Sequence, residues 1–466
     1  MKDGRGSRNA VRRETLKKLR GVPRPLAPVY RTRRPNQSIK LHEGPLQITQ
    51  GKNCVEGNGT IRLEWLPFPR IGFTVTTQAA SPFLSTGPAI INGPTINLCV
   101  PANIDHFRGA ASTRIAGNIF HPVRHGSGNG LRRLLIHFVN FREFIGTPVR
   151  RVTPKSVTSS SDRLVLEAEG WKVTMDAVRG FEQLQEATCA QNGYAITHLA
   201  SVERSDGGSF PITEADDFLG GLNYFLSFAR GFWSPGILRV AYDAGGYRVW
   251  SEWAAGRATP HRAVLSWTDV HHPESLAGAF PGFMAKWTDP NWREAIRLAI
   301  HWYVEANVNA GSLEGSIVST QVALELLSWM HFVVGQGTPE KPFDRSLSAA
   351  QKLRGLLTCL GIPTAVPPLL PNVAALPFDK PSDGPERFAF VRNSLVHPKR
   401  SEEFKEKLNK ARSLSAFEVR EDAWRLGLWY LEMSLLSLFG FRGVYSNRLQ
   451  RGGYVGAVES VPWARP

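Results

Sequence analysis

The chain has 466 residues, a formal charge of +16, and hydrophobic and charged fractions of 42% and 21%. That balance suits a globular protein with two or three cores and excludes a wholly disordered or fibrous chain. No window holds about 18 uninterrupted apolar residues and no apolar segment follows the basic start, so neither a membrane-spanning helix nor a secretory signal is predicted.

The charge is concentrated at the start. Residues 1–40 carry thirteen lysines and arginines against Asp3 and Glu14, and Pro23, Pro25, Pro28 and Pro35 interrupt any helix there. A disordered basic tail is the expectation. It reads either as a salt-sensitive phosphate contact or as a plain solvated extension. The prolines break the amphipathic helix that a mitochondrial presequence needs.

Residues 41–287 read as a β-rich domain. Short apolar or alternating runs such as Thr60–Trp65, Ile71–Thr77, Leu131–Phe138, Arg163–Ala168 and Trp171–Met175 are separated by Gly, Pro, Asn and Ser. Glu169-Gly170 and Gly245-Gly246 predict hairpin turns. One helix interrupts the strands, beginning near Thr213 and carrying Phe218, Leu219, Leu222, Phe225 and Leu226 at helical spacing. The run Ala263–Trp267 is strand-like. A sandwich or curved, mostly antiparallel sheet follows from this pattern.

Residues 288–445 read as all-α, with 446–466 as a tail. Asp289-Pro290 caps a helix to about Asn307. A second runs from about Leu313 to Val334, ended by Gly335 and Gly337. A third spans about Ser346–Cys359. A fourth, about Pro385–Val396, must stop by His397, because Pro398 disfavours helical geometry in the residue before it. The last long helix covers about Ala416–Phe439. The fold class is therefore α+β, a β-rich N-terminal domain followed by a helical bundle.

Arg392-Asn393-Ser394-Leu395-Val396-His397 is the chemically richest stretch. It places a permanent cation, an amide and an imidazole at the end of a helix, where the negative end of the macrodipole favours imidazolium. A cation and a movable proton suit a phosphodiester substrate. Arg132 and His137 share the spacing, but they lie on a strand, where residues five apart face opposite sides. Asn393 and the helical surroundings distinguish the second pair.

The RN-x3-H pattern late in a helical domain resembles the signature of HEPN domains. Gln321-Val322-Ala323-Leu324-Glu325-Leu326-Leu327 is similar to the early-helix stretch of ApeA-like HEPN proteins, in which a variable β-rich domain precedes the bundle. The likeness covers about Asp289–Tyr445. It implies a metal-independent endoribonuclease without a cofactor, a toxin or anti-phage abortive-infection effector; the scattered Cys54, Cys99, Cys189 and Cys359, with no CxxC pair, place the expectation in a reducing cytoplasm. It implies a site shared by two protomers, with a phage-derived or small-molecule trigger sensed by the β-rich domain. Within that likeness His397 is the general base or acid, Arg392 clamps the phosphate and Asn393 orients a backbone group or His397. Glu325 is accessory, as a partner for Arg392 or as an ordinary salt bridge. The other implied possibility is a non-catalytic module that binds nucleic acid, a nucleotide or a protein. On a regular helix, residues five apart diverge by about 140°, so two copies about a two-fold axis complete a site more readily than one.

Other clusters carry less. Asp269, His271 and His272 precede Pro273 without a metal-ligand partner at helical spacing and read as a turn. The tryptophans between Trp233 and Trp302 read as core where the two domains meet, with base stacking as the alternative.

Overall fold

The computed structural model describes residues 14–15, 17–78, 84–108, 113–152, 157–308, 312–411, 413–450 and 455–464. Six strands, β1 (Ile39–Gln50), β2 (Asn53–Glu64), β3 (Arg70–Thr77), β4 (Gly87–Gly93), β5 (Leu98–Arg108) and β6 (Thr113–Ile119), form a closed barrel in the order β1-β2-β3-β6-β5-β4. The Gln47–Asn92, Ile48–Ile91 and Thr49–Ile90 pairings of β1 with β4 close it. Strand alternation turns Ile48, Ile61, Leu63, Val75, Ile91, Ile104 and Ile115 into one buried cluster.

Eight further strands make one antiparallel sheet. In chain order they are β7 (Val123–Gly126), β8 (Arg133–Val139), β9 (Thr147–Val152), β10 (Val157–Ala168), β11 (Trp171–Ala177), β12 (Ile196–Arg204), β13 (Gly236–Tyr242) and β14 (Arg248–Trp253). Their spatial order is β7-β14-β13-β8-β12-β11-β10-β9. Both predicted hairpins are present. At the first, Glu169 and Gly170 have φ values of 52° and 72°, the left-handed pair a tight turn demands. The expected curved antiparallel sheet is therefore accompanied by a closed barrel rather than by a second sandwich layer.

Helix α1 (Phe181–Gln191) joins β11 to β12, and α2 (Ile212–Arg230) joins β12 to β13. Residues 41–287 thus hold more than the one expected helix α2: α1 leaves little periodic signal, burying no more than Phe181, Leu184 and Thr188, and Glu274–Thr288 is helical as well. Ala263–Trp267 is not a strand. Its polar groups serve the helices instead: Ser266 Oγ donates to Ala229 O at 2.6 Å, and Asn307 Nδ2 donates to Leu265 O at 2.9 Å.

The helical region comprises α3 (Glu274–Thr288), α4 (Arg293–Val308), α5 (Leu313–Trp329), α6 (Glu340–Ser346), α7 (Ala349–Cys359), α8 (Pro371–Ala375), α9 (Gly384–Val396), α10 (Pro398–Lys410) and α11 (Ala416–Leu438). A π turn, Met330–Gly335, extends α5. By length and composition Leu313–Gly335 is long and apolar enough to cross a membrane. Here it packs against α4, α7 and α11.

The sheet has two buried faces. Leu134, Ile136 and Phe138 of β8 join a core that continues through Phe225, Phe280, Tyr303 and Leu428 into the bundle. Val139, Ile196 and Trp253 instead join the barrel cluster. Trp267 and Trp287 lie in the shared sheet–helix core, Trp267 against Phe225, Phe228 and Phe441.

Residues 1–13 of the basic tail lie outside the described residues, but from Val22 onward the segment is docked rather than solvated. Leu26 N donates to Asp176 Oδ2 at 2.7 Å, Tyr30 N to His137 Nε2 at 3.2 Å, and Asn36 N to Tyr194 O at 2.8 Å. Ile196 N donates to Thr32 Oγ1 at 2.9 Å. Backbone groups of the prolines' neighbours thus find partners on the sheet, which a sequence reading of composition alone does not reveal.

Two histidines end up wholly enclosed. Burial pushes His137 down to about 4 and His198 to about 3, from an ordinary value of 6.5. His198 is surrounded by the rings of Phe141, Phe144 and Phe181. Below about pH 6.5 the unfolded chain binds protons at these sites while the folded chain does not, so stability falls with falling pH. Between pH 7 and pH 5 each histidine is expected to remove about 2 kcal/mol. Urea unfolding of His198→Phe at both pH values should show a loss smaller by about that amount; an identical loss in wild type and variant would refute it.

A second enclosed group ties the helices. Glu432 accepts Arg448 Nε at 2.7 Å, Arg448 Nη2 at 2.6 Å and Tyr303 Oη at 2.6 Å. Both members of the ion pair are buried. Its own burial, and then the Glu432 carboxylate beside it, hold the Tyr303 hydroxyl far above its usual range. Truncating either Glu432 or Arg448 to Ala is expected to cost about 3–5 kcal/mol, because the other charge is left unpaired in the core. A double-mutant cycle by chemical denaturation should show strong coupling, and additive losses would argue against the pair.

Candidate functional site

The motif helix α9 is positioned from its first residue. Asp383 caps it by accepting Glu386 N at 3.0 Å, and Pro385 sits in the first turn, where its missing N–H costs nothing. Arg354 from α7 grips the same carboxylate at 2.5 and 2.9 Å. Burial opposes the Asp383 charge, but Arg354 and the capped N–H outweigh it and hold the carboxyl below its ordinary range. Arg387 reaches back to the Val373 and Leu376 carbonyls at 2.6 and 2.8 Å. The linker before α9 is thereby fastened to the helix it introduces.

The inner face of α9 carries Phe388 and Val391, both fully buried. Gly427 of α11 permits this close approach. A Cβ at that position would lie 2.4 Å from the Phe388 ring, so the helices meet backbone to ring. Toward its C-terminal end α9 leaves Arg392 and Asn393 half-buried and Val396 and His397 exposed.

Arg392 and Asn393 are brought together: Arg392 Nη1 donates to Asn393 Oδ1 at 3.1 Å. Arg392 Nε is enclosed without a hydrogen-bond partner, and among the described residues no carboxylate forms an ion pair with this guanidinium. His397 stands at the break between α9 and α10. Its φ and ψ of −126° and 118° are extended, as Pro398 requires. His397 N donates to Asn393 O, and His397 O accepts from Ser401 N, both at 3.0 Å. Its imidazole forms no hydrogen bond with Arg392 or Asn393. Glu325 lies half-buried on α5 and accepts Gln321 Nε2 at 2.8 Å rather than pairing with Arg392.

Pro398 does more than stop α9. It opens α10, an unexpected further helix, with proline at the first position that favours it. Of its residues only Phe404 is buried, so α10 presents a charged surface beside the motif, with Lys399 exposed two residues from His397.

The other clusters resolve into structural roles. Asp269 accepts His271 N at 2.8 Å and Gly456 N at 2.9 Å, and His272 bonds Glu274 at 2.7 Å. Among the described residues, no group of three or more His, Cys, Asp or Glu is arranged to hold a metal ion. Cys54, Cys99, Cys189 and Cys359 are free thiols.

Sequence comparison covers the same two regions. Residues 126–264, which hold β8 to β14 with α1 and α2, match the family model described as the YopA central domain. Residues 289–459, which hold α4 to α11 and the segment after them, match that of the YopA C-terminal domain. No solved structure matches the chain at a significant level. The SPbeta prophage-derived uncharacterized protein YopA of Bacillus subtilis (strain 168) is 26% identical over 443 residues, spanning 92% of this chain and 95% of that protein. With both domain matches in succession and a relative aligned over nearly its whole length, the chain is similar to YopA-type proteins.

Proposed function

We propose that this protein is a HEPN-type endoribonuclease that cuts RNA without a metal ion, as a homodimer in the cytoplasm. The observation that carries the reading is the placement of Arg392, Asn393 and His397 at the open end of α9, with a guanidinium that has no carboxylate partner among the described residues. Such a cation is available for phosphate, which it can grip through two donors. The free cysteines fit a reducing compartment. The prophage origin of the Bacillus subtilis relative fits a toxin or abortive-infection role.

The chemistry asked of the site is transesterification. His397 takes the proton of a ribose 2′-hydroxyl, the 2′-oxygen bonds to phosphorus, and the bond from phosphorus to the 5′-oxygen breaks. The departing 5′-oxygen takes a proton from a second imidazole, supplied by another copy of the chain, and Arg392 balances the charge on the phosphoryl oxygens. The products are a 2′,3′-cyclic phosphate and a 5′-hydroxyl. A non-catalytic binding module is the second reading, and one contact favours it: Arg392 already donates to Asn393, as a structural tie would.

Purified protein is expected to cleave single-stranded RNA in EDTA and leave 2′,3′-cyclic phosphate ends. His397→Ala should slow cleavage by about 10²–10⁴-fold while leaving the melting temperature unchanged, since the side chain is exposed. Undiminished cleavage by that variant would defeat the assignment.

Light scattering should report a dimer. Mixing wild-type protein with excess His397→Ala protein should lower the wild-type activity, because each mixed cleft then holds one imidazole where the reaction uses two. A strictly monomeric protein, or wild-type activity untouched by the added variant, counts against the composite site. Should both variants melt several degrees lower with no effect on RNA, the motif is a structural tie.

A further inference from the structure

The docked N-terminal segment encloses a cavity of about 590 Å³ against β11, β12 and the start of α1. Its floor is apolar, made by Leu26, Pro28, Val178, Leu184, Ile196 and Leu199. Its rim is cationic, with Arg31, Arg33, Arg151 and Arg179, and the lining contains no aspartate or glutamate. Arg24 and Arg150 line an adjoining cavity that shares Arg151 and Arg179.

These cations differ in how they are used. Arg151 is engaged, donating to Asp162 Oδ2 at 2.6 Å and to Ala177 O at 3.0 Å. The side chains of Arg31, Arg33 and Arg179 have no acidic partner among the described residues, and the buried Nε of Arg150 lacks a hydrogen-bond partner. Several like charges gathered around one hollow repel one another, and an anion would relieve that repulsion. The eleven-residue α1 starts at the same place, with Gly180 as its cap at φ 76° and no side chain accepting from its first N–H groups. Those donors and the helix dipole add to the arginines.

We propose that this cavity binds a nucleotide-sized organic phosphate, its phosphate held by Arg31, Arg33 and Arg179 at the start of α1 and its base or other flat apolar part resting on the floor. The volume lies within the range of about 300–1,000 Å³ usual for small-molecule sites. A bare inorganic anion would leave the apolar floor unused. The site is formed by the β-rich region and is independent of the motif on α9.

Isothermal titration calorimetry on the full chain, with the four ribonucleoside monophosphates, adenosine and inorganic phosphate as probes, tests this. At least one monophosphate is expected to bind, more weakly as salt rises, with adenosine and inorganic phosphate at least about tenfold weaker. Arg31→Glu and Arg179→Glu should each weaken that binding by at least about tenfold. Both side chains are exposed, so an unchanged melting temperature certifies the fold. His397→Ala should bind as wild type does, which separates this site from the proposed nuclease centre. No monophosphate binding at about 1 mM, inorganic phosphate binding as tightly as the nucleotide, or affinity unaffected by the two charge reversals would each overturn the proposal.

Discussion

The Glu432–Arg448 pair, with Tyr303 and Asn307 around it, is the constraint on which the helical region and its junction with the sheet depend. It joins α11, α4 and the segment after α11 in one enclosed network. Asn307 extends it to Gly231 O at the end of α2 and to Leu265 O in the connection between the two regions. Apolar packing alone is tolerant of small slides between helices, whereas a buried bidentate pair with further hydrogen bonds permits one arrangement. Such a pair is weak evidence for net stability, since both charges leave water, but the penalty for any arrangement that separates them is large.

That network has a bearing on α9. The motif helix rests on α11 through Phe388 and Gly427, and α11 is the element that carries Glu432. Its other end is held by the Arg354–Asp383 grip from α7. The inner half of α9 is therefore fixed at two points, with Arg392 and Asn393 half-buried beside it and His397 exposed at its end. A helix fixed below and open at its end holds the side chains it carries in one geometry.

Local features were legible in the sequence and non-local ones were not. The Glu169-Gly170 and Gly245-Gly246 turns, the stop before Pro398 and the long α11 all follow from chemistry within a few residues. Barrel closure does not, because it depends on Ile48 meeting Ile91 across the chain. Ala263–Trp267 misled, since its alternation serves contacts with Ala229 and Asn307 rather than a ladder. At the site, Arg392, Asn393 and His397 could be singled out from their spacing, yet the support from Asp383 and Arg354, 29 residues apart, could not. Composition likewise marked residues 1–40 as a basic tail, while the sheet groups that receive Leu26, Tyr30 and Asn36 lie more than one hundred positions away.

The docked N-terminal segment also imposes an order of events on the ribosome. Tyr30 waits for His137, Leu26 for Asp176 and Asn36 for Tyr194, so a segment made before the sheet finds its place only after it. Until the strands of the central sheet have emerged, the arginines of that segment face solvent with no surface to lie on, beside a barrel whose strands can already pair. Closing contacts of such sequence separation is slow relative to local pairing. The segment therefore acts as a closing strap, laid over the central sheet only once the groups that receive it exist.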